Sequence, residues 1–213
     1  MSEKNVGFFF YQPPIFGNRK KKNSTKWTVT FISMCVIMFV LSVFIPMADN
    51  FAFTPVKILS QPWTFVTSMF LHASLDHLFF NMFALYIFGR YLESRVSEKR
   101  FLSIFFLSGI LGNLAYYAMS PASAVPAVGA SGAIYGIMGA LAALYPGLVI
   151  YLFGIAPMPM IFAAGLWFVM EFTGMFIPSN IAHEAHLAGL ILGLAYGFYI
   201  KKDMNNTVFF WEK

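Results

Sequence analysis

From Phe101 to Met170 the chain carries no Asp, Glu, Lys or Arg, and from there to Ile200 the only charged residues are Glu171 and Glu184. A soluble domain holds about a quarter of its residues charged, spread along the chain to keep its surface wet. An uncharged stretch of this length belongs in lipid. Over all 213 residues, 59% are hydrophobic and 11% charged, which makes a water-soluble fold untenable. At roughly 20 residues per spanning helix, the length holds about six crossings with short loops, in one domain with no room for a second. The expected fold class is all-α, a polytopic membrane bundle.

The first apolar run, Trp27 to Met47, is too long for a cleaved signal peptide and has no small-residue cleavage site, so it reads as a retained helix. Cys35, the single cysteine, excludes an intramolecular disulfide and a four-thiolate metal site. The net charge of +5 does not point to nucleic acid, because the basic residues stand in short runs beside apolar helices rather than on a soluble basic domain. They report orientation instead, since Lys and Arg flanking a span stay on the cytoplasmic side.

Residues 1–26 form a polar, basic leader with Lys4, Arg19, Lys20, Lys21, Lys22 and Lys26, expected in the cytoplasm. There it anchors topology or meets anionic lipid head groups. Spans are expected at about 27–47, 75–89, 101–119, 129–145, 157–177 and 182–200. The segment 48–74 should lie outside, partly in the membrane interface, and 120–128 is a Pro- and Ala-rich outer turn. The segment 147–156 reads as a short apolar connection. The membrane domain is thus placed at 27–202, followed by a short cytoplasmic tail at 203–213. With both termini inside, thirteen of the fourteen Lys and Arg fall on the inner side, and only Lys57 falls outside. No internal repeat supports a transporter of two interrupted halves.

Ionisable and polar groups in such a bundle are costly and each needs a reason. His72 and His77 open span two, Ser131 opens span four, and His183 and His186 open span six, all near the outer face. Ser131 lies in Gly129-Ala130-Ser131-Gly132, where glycines permit a tight turn and close approach of a substrate backbone. At a helix N-terminus the unpaired amides point toward an incoming group and suit the oxyanion formed when a serine attacks a carbonyl. The serine needs a base, and His186 is the best placed. Gly189, Gly193 and Gly197 let the helix of His186 approach another closely. Span four carries Gly132, Gly136 and Gly139 on its own small face and would bring Ser131 within hydrogen-bonding reach. Tyr135, one turn below Ser131, is placed to stack on the imidazole. His77 and Asn81 share a face of span two and offer donors for the oxyanion beside the Ser131 amide.

Each motif has a plainer reading: a serine bonded back to its own helix, glycines for packing, and a structural hydrogen bond between His77 and Asn81. Their combination is what points to chemistry. His183-Glu184-x-His186 misses the His-Glu-x-x-His spacing of zinc proteases, so no metal is expected. No acid is evident to orient His186, which leaves packing and Tyr135 to do so. The role of Glu171, the one acid in span five, stays open between a structural residue and a proton path.

Taken together, these residues resemble the rhomboid family of intramembrane serine proteases, over roughly residues 50–200. His72-Ala-Ser-Leu-Asp-His77-Leu-Phe-Phe-Asn81 looks like the family's His/His/Asn segment. Gly129-Ala130-Ser131-Gly132 with Tyr135 looks like its nucleophile motif, and Ala185-His186-Leu187-Ala188-Gly189 its histidine motif. Gly89-Arg90-Tyr91-Leu92-Glu93 looks like the family's ending of span two. Trp63-Thr64 stands where many members have Trp-Arg, a departure confined to the outer loop.

The resemblance implies a six-transmembrane-helix rhomboid-like bundle in a bacterial plasma membrane, with a water-filled cavity open to the outside. It implies a serine endopeptidase with Ser131 as nucleophile and His186 as base, and His77, Asn81 and the Ser131 amide at the oxyanion. Gly129, Gly132, Tyr135, Gly189 and His72 would support them. The expected partners are single-span membrane proteins, admitted sideways near span five, and membrane lipid, with no cofactor. Two other readings predict different behaviour: a client-holding adaptor that does not need Ser131, and a proton-coupled transporter using Glu171 and the histidines.

Overall fold

The computed structural model describes residues 10–11, 25–152 and 156–209. Most of the basic leader and the last four residues therefore lie outside the described residues. The described chain is mostly helical, and its turns fall where proline, glycine or a capping side chain dictates.

Helix α1 (Lys26–Phe44) is a continuous apolar run that ends at the extended Ile45, just before Pro46. Helix α2 (Leu75–Ala84) starts where Ser74 accepts the His77 N–H at 3.1 Å, with Asp76 in its first turn. It continues through one wider turn, Leu85–Gly89, into Arg90–Glu93. Helix α3 (Glu98–Met119) is capped by Ser97 and stops before Pro121. Helices α4 (Ser131–Leu144) and α5 (Met160–Gly174) are shorter, and α6 (His183–Phe209) runs on past the expected span into the tail segment. By length and composition, α1 and α3 are long and apolar enough to cross a membrane.

One expectation changes. The segment 147–156 is not a plain connection, and the fifth helix does not begin at 157. Strand β2 (Val149–Leu152) pairs antiparallel with β3 (Ala156–Pro159), and β1 (Phe10–Tyr11) adds to the other edge of β2. Pro157 and Pro159 cannot donate the bonds a helix needs, while Val149, Ile150 and Tyr151 favour a strand. Helix α5 therefore starts at Met160 and ends at Gly174.

Helix α4 is the centre of the bundle, buried along nearly its whole length, and its principal partner is α6. Their backbones touch: a Cβ built on Gly189 would lie 2.1 Å from the Gly132 carbonyl oxygen, and one on Gly193 would lie 1.8 Å from that of Gly136. Only glycine fits such a crossing, which is how small residues replace hydrophobic burial as the driving force between apolar helices. Many large apolar side chains line the outer surface instead. Val43 of α1, Phe80 of α2 and Phe162 of α5 are 69%, 67% and 68% exposed, an apolar exterior far beyond that of a soluble protein.

One end of the bundle is tied by Glu93. This buried carboxylate accepts the N–H of Trp27 and of Thr28, each at 2.9 Å, and the Thr28 hydroxyl at 2.7 Å. It caps α1 from another helix, where Thr25 makes no side-chain cap. At the opposite end the loop of 48–74 is held by the Trp63 indole on the Asn50 carbonyl at 2.7 Å and by Asn113 of α3 on Phe65 and Ser68. Thr64 is buried and bonds its own turn through Gln61.

Candidate active site

Ser131 is the first residue of α4. The chain reaches it through Gly129, whose φ of 124° lies in the region that disfavours every side chain. The space beside Gly129 is occupied as well: a Cβ there would sit 2.8 Å from the His77 ring and 3.7 Å from Ser131 Oγ. One glycine thus allows both the turn into α4 and the approach of His77 to the serine. The first-turn amides of α4, Ser131 included, have no carbonyl four residues back to bond.

The α4–α6 contact sets His186 against the serine, with Nε2 2.7 Å from Ser131 Oγ. Tyr135 lies flat on the imidazole, with centroids 4.6 Å apart and planes within 7°. Gly132 and Gly189 are the backbone contact that brings the two helices together.

Ser131, His186, Tyr135, His77, Asn81 and Gly129 all line one cavity of about 1760 Å³. Its walls also include Phe79, Phe80 and Phe83 of α2 and Trp167 of α5, so it reaches from the polar centre to the apolar exterior. Asn81 donates one hydrogen of its amide to the His77 carbonyl at 2.8 Å, and its Oδ1 is buried without a partner. His72 does not reach the cavity. It is buried in the loop before α2 with its ring edge-on to His77 at 5.1 Å. Burial, reinforced by repulsion from His77, pushes its imidazole down to about 4, so it is neutral at physiological pH and backs His77 as an uncharged ring.

The expectation that no acid orients His186 does not hold. Glu171 of α5 is buried beside it: its Oε2 lies 3.1 Å from His186 Nδ1 and 2.6 Å from His183 Nδ1, and its Oε1 accepts the Tyr135 hydroxyl. His183 Nε2 is 3.1 Å from Ser179 Oγ, and its ring occupies the space over Gly174, where a Cβ would meet it at 2.5 Å. A signal existed in the sequence. Glu171 and Gly174 stand three apart on one helix, and His183 and His186 three apart on the next, so each pair shares a face. Among the described residues, Glu171, His183 and His186 also form the one group whose ligand atoms, all within 4.8 Å of one another, could hold a metal ion.

Residues 59–203 match the Rhomboid domain. The chain belongs to the rhomboid family. Rhomboids are integral membrane proteins and generally serine proteases, although inactive members exist. This rhomboid is 37% identical to YdcA of Bacillus subtilis (strain 168) over 139 residues, 64% of this chain and 66% of that protein. It is 35% identical to the rhomboid protease GluP of the same organism, over 62% of this chain and 24% of GluP. Its likeness to the inactive RHOMBOID-like protein 8 of Arabidopsis thaliana is 34%, over 61% of this chain and 35% of that protein. The matched region therefore spans two thirds or less of each relative's length.

Proposed function

We propose that this rhomboid is an intramembrane serine endopeptidase that cleaves transmembrane segments with a Ser131/His186 dyad. The observation that carries the reading is the 2.7 Å contact of Ser131 Oγ with His186 Nε2 inside a cavity that touches both polar and apolar walls. His186 takes the hydroxyl proton as Ser131 attacks the substrate carbonyl, then passes it to the leaving amine. The Ser131 amide with His77 and Asn81 faces the oxyanion. Water then attacks the acyl carbon as His186 takes one of its protons, and His186 returns that proton to Ser131 Oγ as the Oγ–acyl bond breaks and the new carboxyl terminus leaves.

Six crossings with both termini in the cytoplasm agree with the distribution of basic residues and put the cavity mouth on the outer side of a bacterial plasma membrane. The domain 27–202 is the membrane protease unit, with the basic leader and short tail inside. Helix α4 has 14 residues and rises about 21 Å, less than the hydrocarbon core of about 30 Å. A short, fully surrounded helix supports a nucleophile that lies below the membrane surface and meets water only through the cavity. The aromatic wall from α2 and Trp167 of α5 suits a single-span membrane protein entering sideways from lipid.

The reading is tested by incubating the purified protein in liposomes with a single-span membrane protein. Cleavage is expected, and Ser131→Ala and His186→Ala are each expected to abolish it. Cleavage surviving both substitutions contradicts the reading. The inactive Arabidopsis relative favours a second reading, a non-catalytic holder of client helices. That function would leave client capture by Ser131→Ala unchanged and show no cleavage by the wild type.

A further inference from the structure

We infer that Glu171 is a positioning residue for His186, so that the reaction centre is a Ser131–His186–Glu171 triad rather than a dyad. The inference rests on the Ser131/His186 reading and adds to it the group that selects the imidazole tautomer. An ionised carboxylate only accepts hydrogen bonds. Facing Oε2 at 3.1 Å, His186 Nδ1 therefore carries the ring proton, which leaves Nε2 with its lone pair toward Ser131 Oγ. This is the tautomer a general base requires. The carboxylate is itself held from two sides. Tyr135 donates its hydroxyl to Oε1, and His183 donates Nδ1–H to Oε2 at 2.6 Å while its Nε2 faces Ser179 Oγ at 3.1 Å.

Three helices converge on this one side chain: α4 through Tyr135, α5 through Glu171 itself, and α6 through His183 and His186. Gly174, one turn after Glu171, leaves room for the His183 ring, so the carboxylate is braced without strain. A buried acid on an apolar helix is costly unless its bonds are satisfied, and here each oxygen has a donor. Tyr135 then serves His186 twice, by stacking on its ring and by fixing the acid that orients it.

The test compares Glu171→Gln, which keeps size and shape, with wild type and with Ser131→Ala in the liposome cleavage assay. Expected is a fall in kcat of roughly 10²- to 10⁴-fold with KM and thermal unfolding midpoint kept, while Ser131→Ala is inactive. A kcat within about threefold of wild type, with Ser131→Ala still inactive, overturns the triad and leaves the dyad standing. Activity in Ser131→Ala overturns both. Should Glu171→Gln destabilise the fold, the wild type decides the matter: nitrogen NMR of ¹⁵N-histidine protein, with the signal lost in His186→Gln assigned to His186, is expected to show the proton on Nδ1. A proton on Nε2 overturns the inference. Loss of activity on chelation, restored by a divalent cation, would assign Glu171, His183 and His186 to a metal and overturn it as well.

Discussion

An imidazole does two different jobs here, depending on its neighbours. His186 faces a hydroxyl and a carboxylate, whereas His72 is buried with its ring against the edge of another imidazole. The depressed value of His72, about 4 against an ordinary 6.5, means that between these limits the unfolded chain binds more protons than the folded one. Stability therefore falls as pH drops from about 6.5 to about 4, and the contribution is intact above that window. His72→Leu is expected to flatten the pH dependence of the unfolding midpoint across this range, measured in detergent; an unchanged slope would contradict that assignment. Tyr135→Phe separates the two contacts of that residue, because the stacked ring stays and the hydroxyl is lost. Its kcat is expected to fall about tenfold, the worth of a hydrogen bond to a charged group. The residue scale is also where the sequence was least legible. Ser131, His77, Asn81 and His186 stand out because polar groups are rare in an apolar chain. The partners of Glu171 are harder to read, since the spacings of Glu171 with Gly174 and of His183 with His186 give shared faces but do not say that the face of α5 turns toward α6.

Glycine sets the spacing of the elements. At Gly193 an added methyl would press on the Gly136 carbonyl at 1.8 Å, while at Gly165 on α5 nothing lies within 4 Å. Gly193→Ala is expected to destabilise by roughly 1–3 kcal/mol and to pull His186 from Ser131. Gly165→Ala is expected to be neutral or slightly stabilising, because alanine is the better helix former. Equal effects on the unfolding midpoint would count against backbone contact between α4 and α6. At the other end, Glu93→Ala leaves the N–H groups of Trp27 and Thr28 unpaired and is expected to cost about 1–3 kcal/mol. Helix positions were legible because Pro46, Pro121, Pro146 and Pro178 punctuate apolar runs of helical length. The hairpin was not, since a short apolar run reads alike as strand or buried helix, and the β-favouring residues at 149–151 decide for a strand only together with the prolines at 157 and 159.

At the scale of the whole molecule, small residues line the contact of α4 with α6, Phe31, Phe101 and Phe105 fill the core beside it, and many other large apolar side chains face outward. The proposed orientation rests on thirteen basic residues against one, and an error of two spans keeps the same sidedness. Cys35 is buried and leaves a silent background for labelling. Ala122→Cys is expected to react with an impermeant maleimide from outside intact cells, and Lys99→Cys only after lysis. The reverse pattern would invert the topology and with it the side from which the cavity opens.

Proteolysis by this rhomboid depends on Ser131 being an activated nucleophile. A serine-reactive fluorophosphonate tests this without knowledge of the substrate, by mass spectrometry of the protein labelled in lipid. An adduct is expected on Ser131, absent in Ser131→Ala and strongly slowed in His186→Ala. No adduct on the wild type, or labelling that persists undiminished in Ser131→Ala, would contradict it.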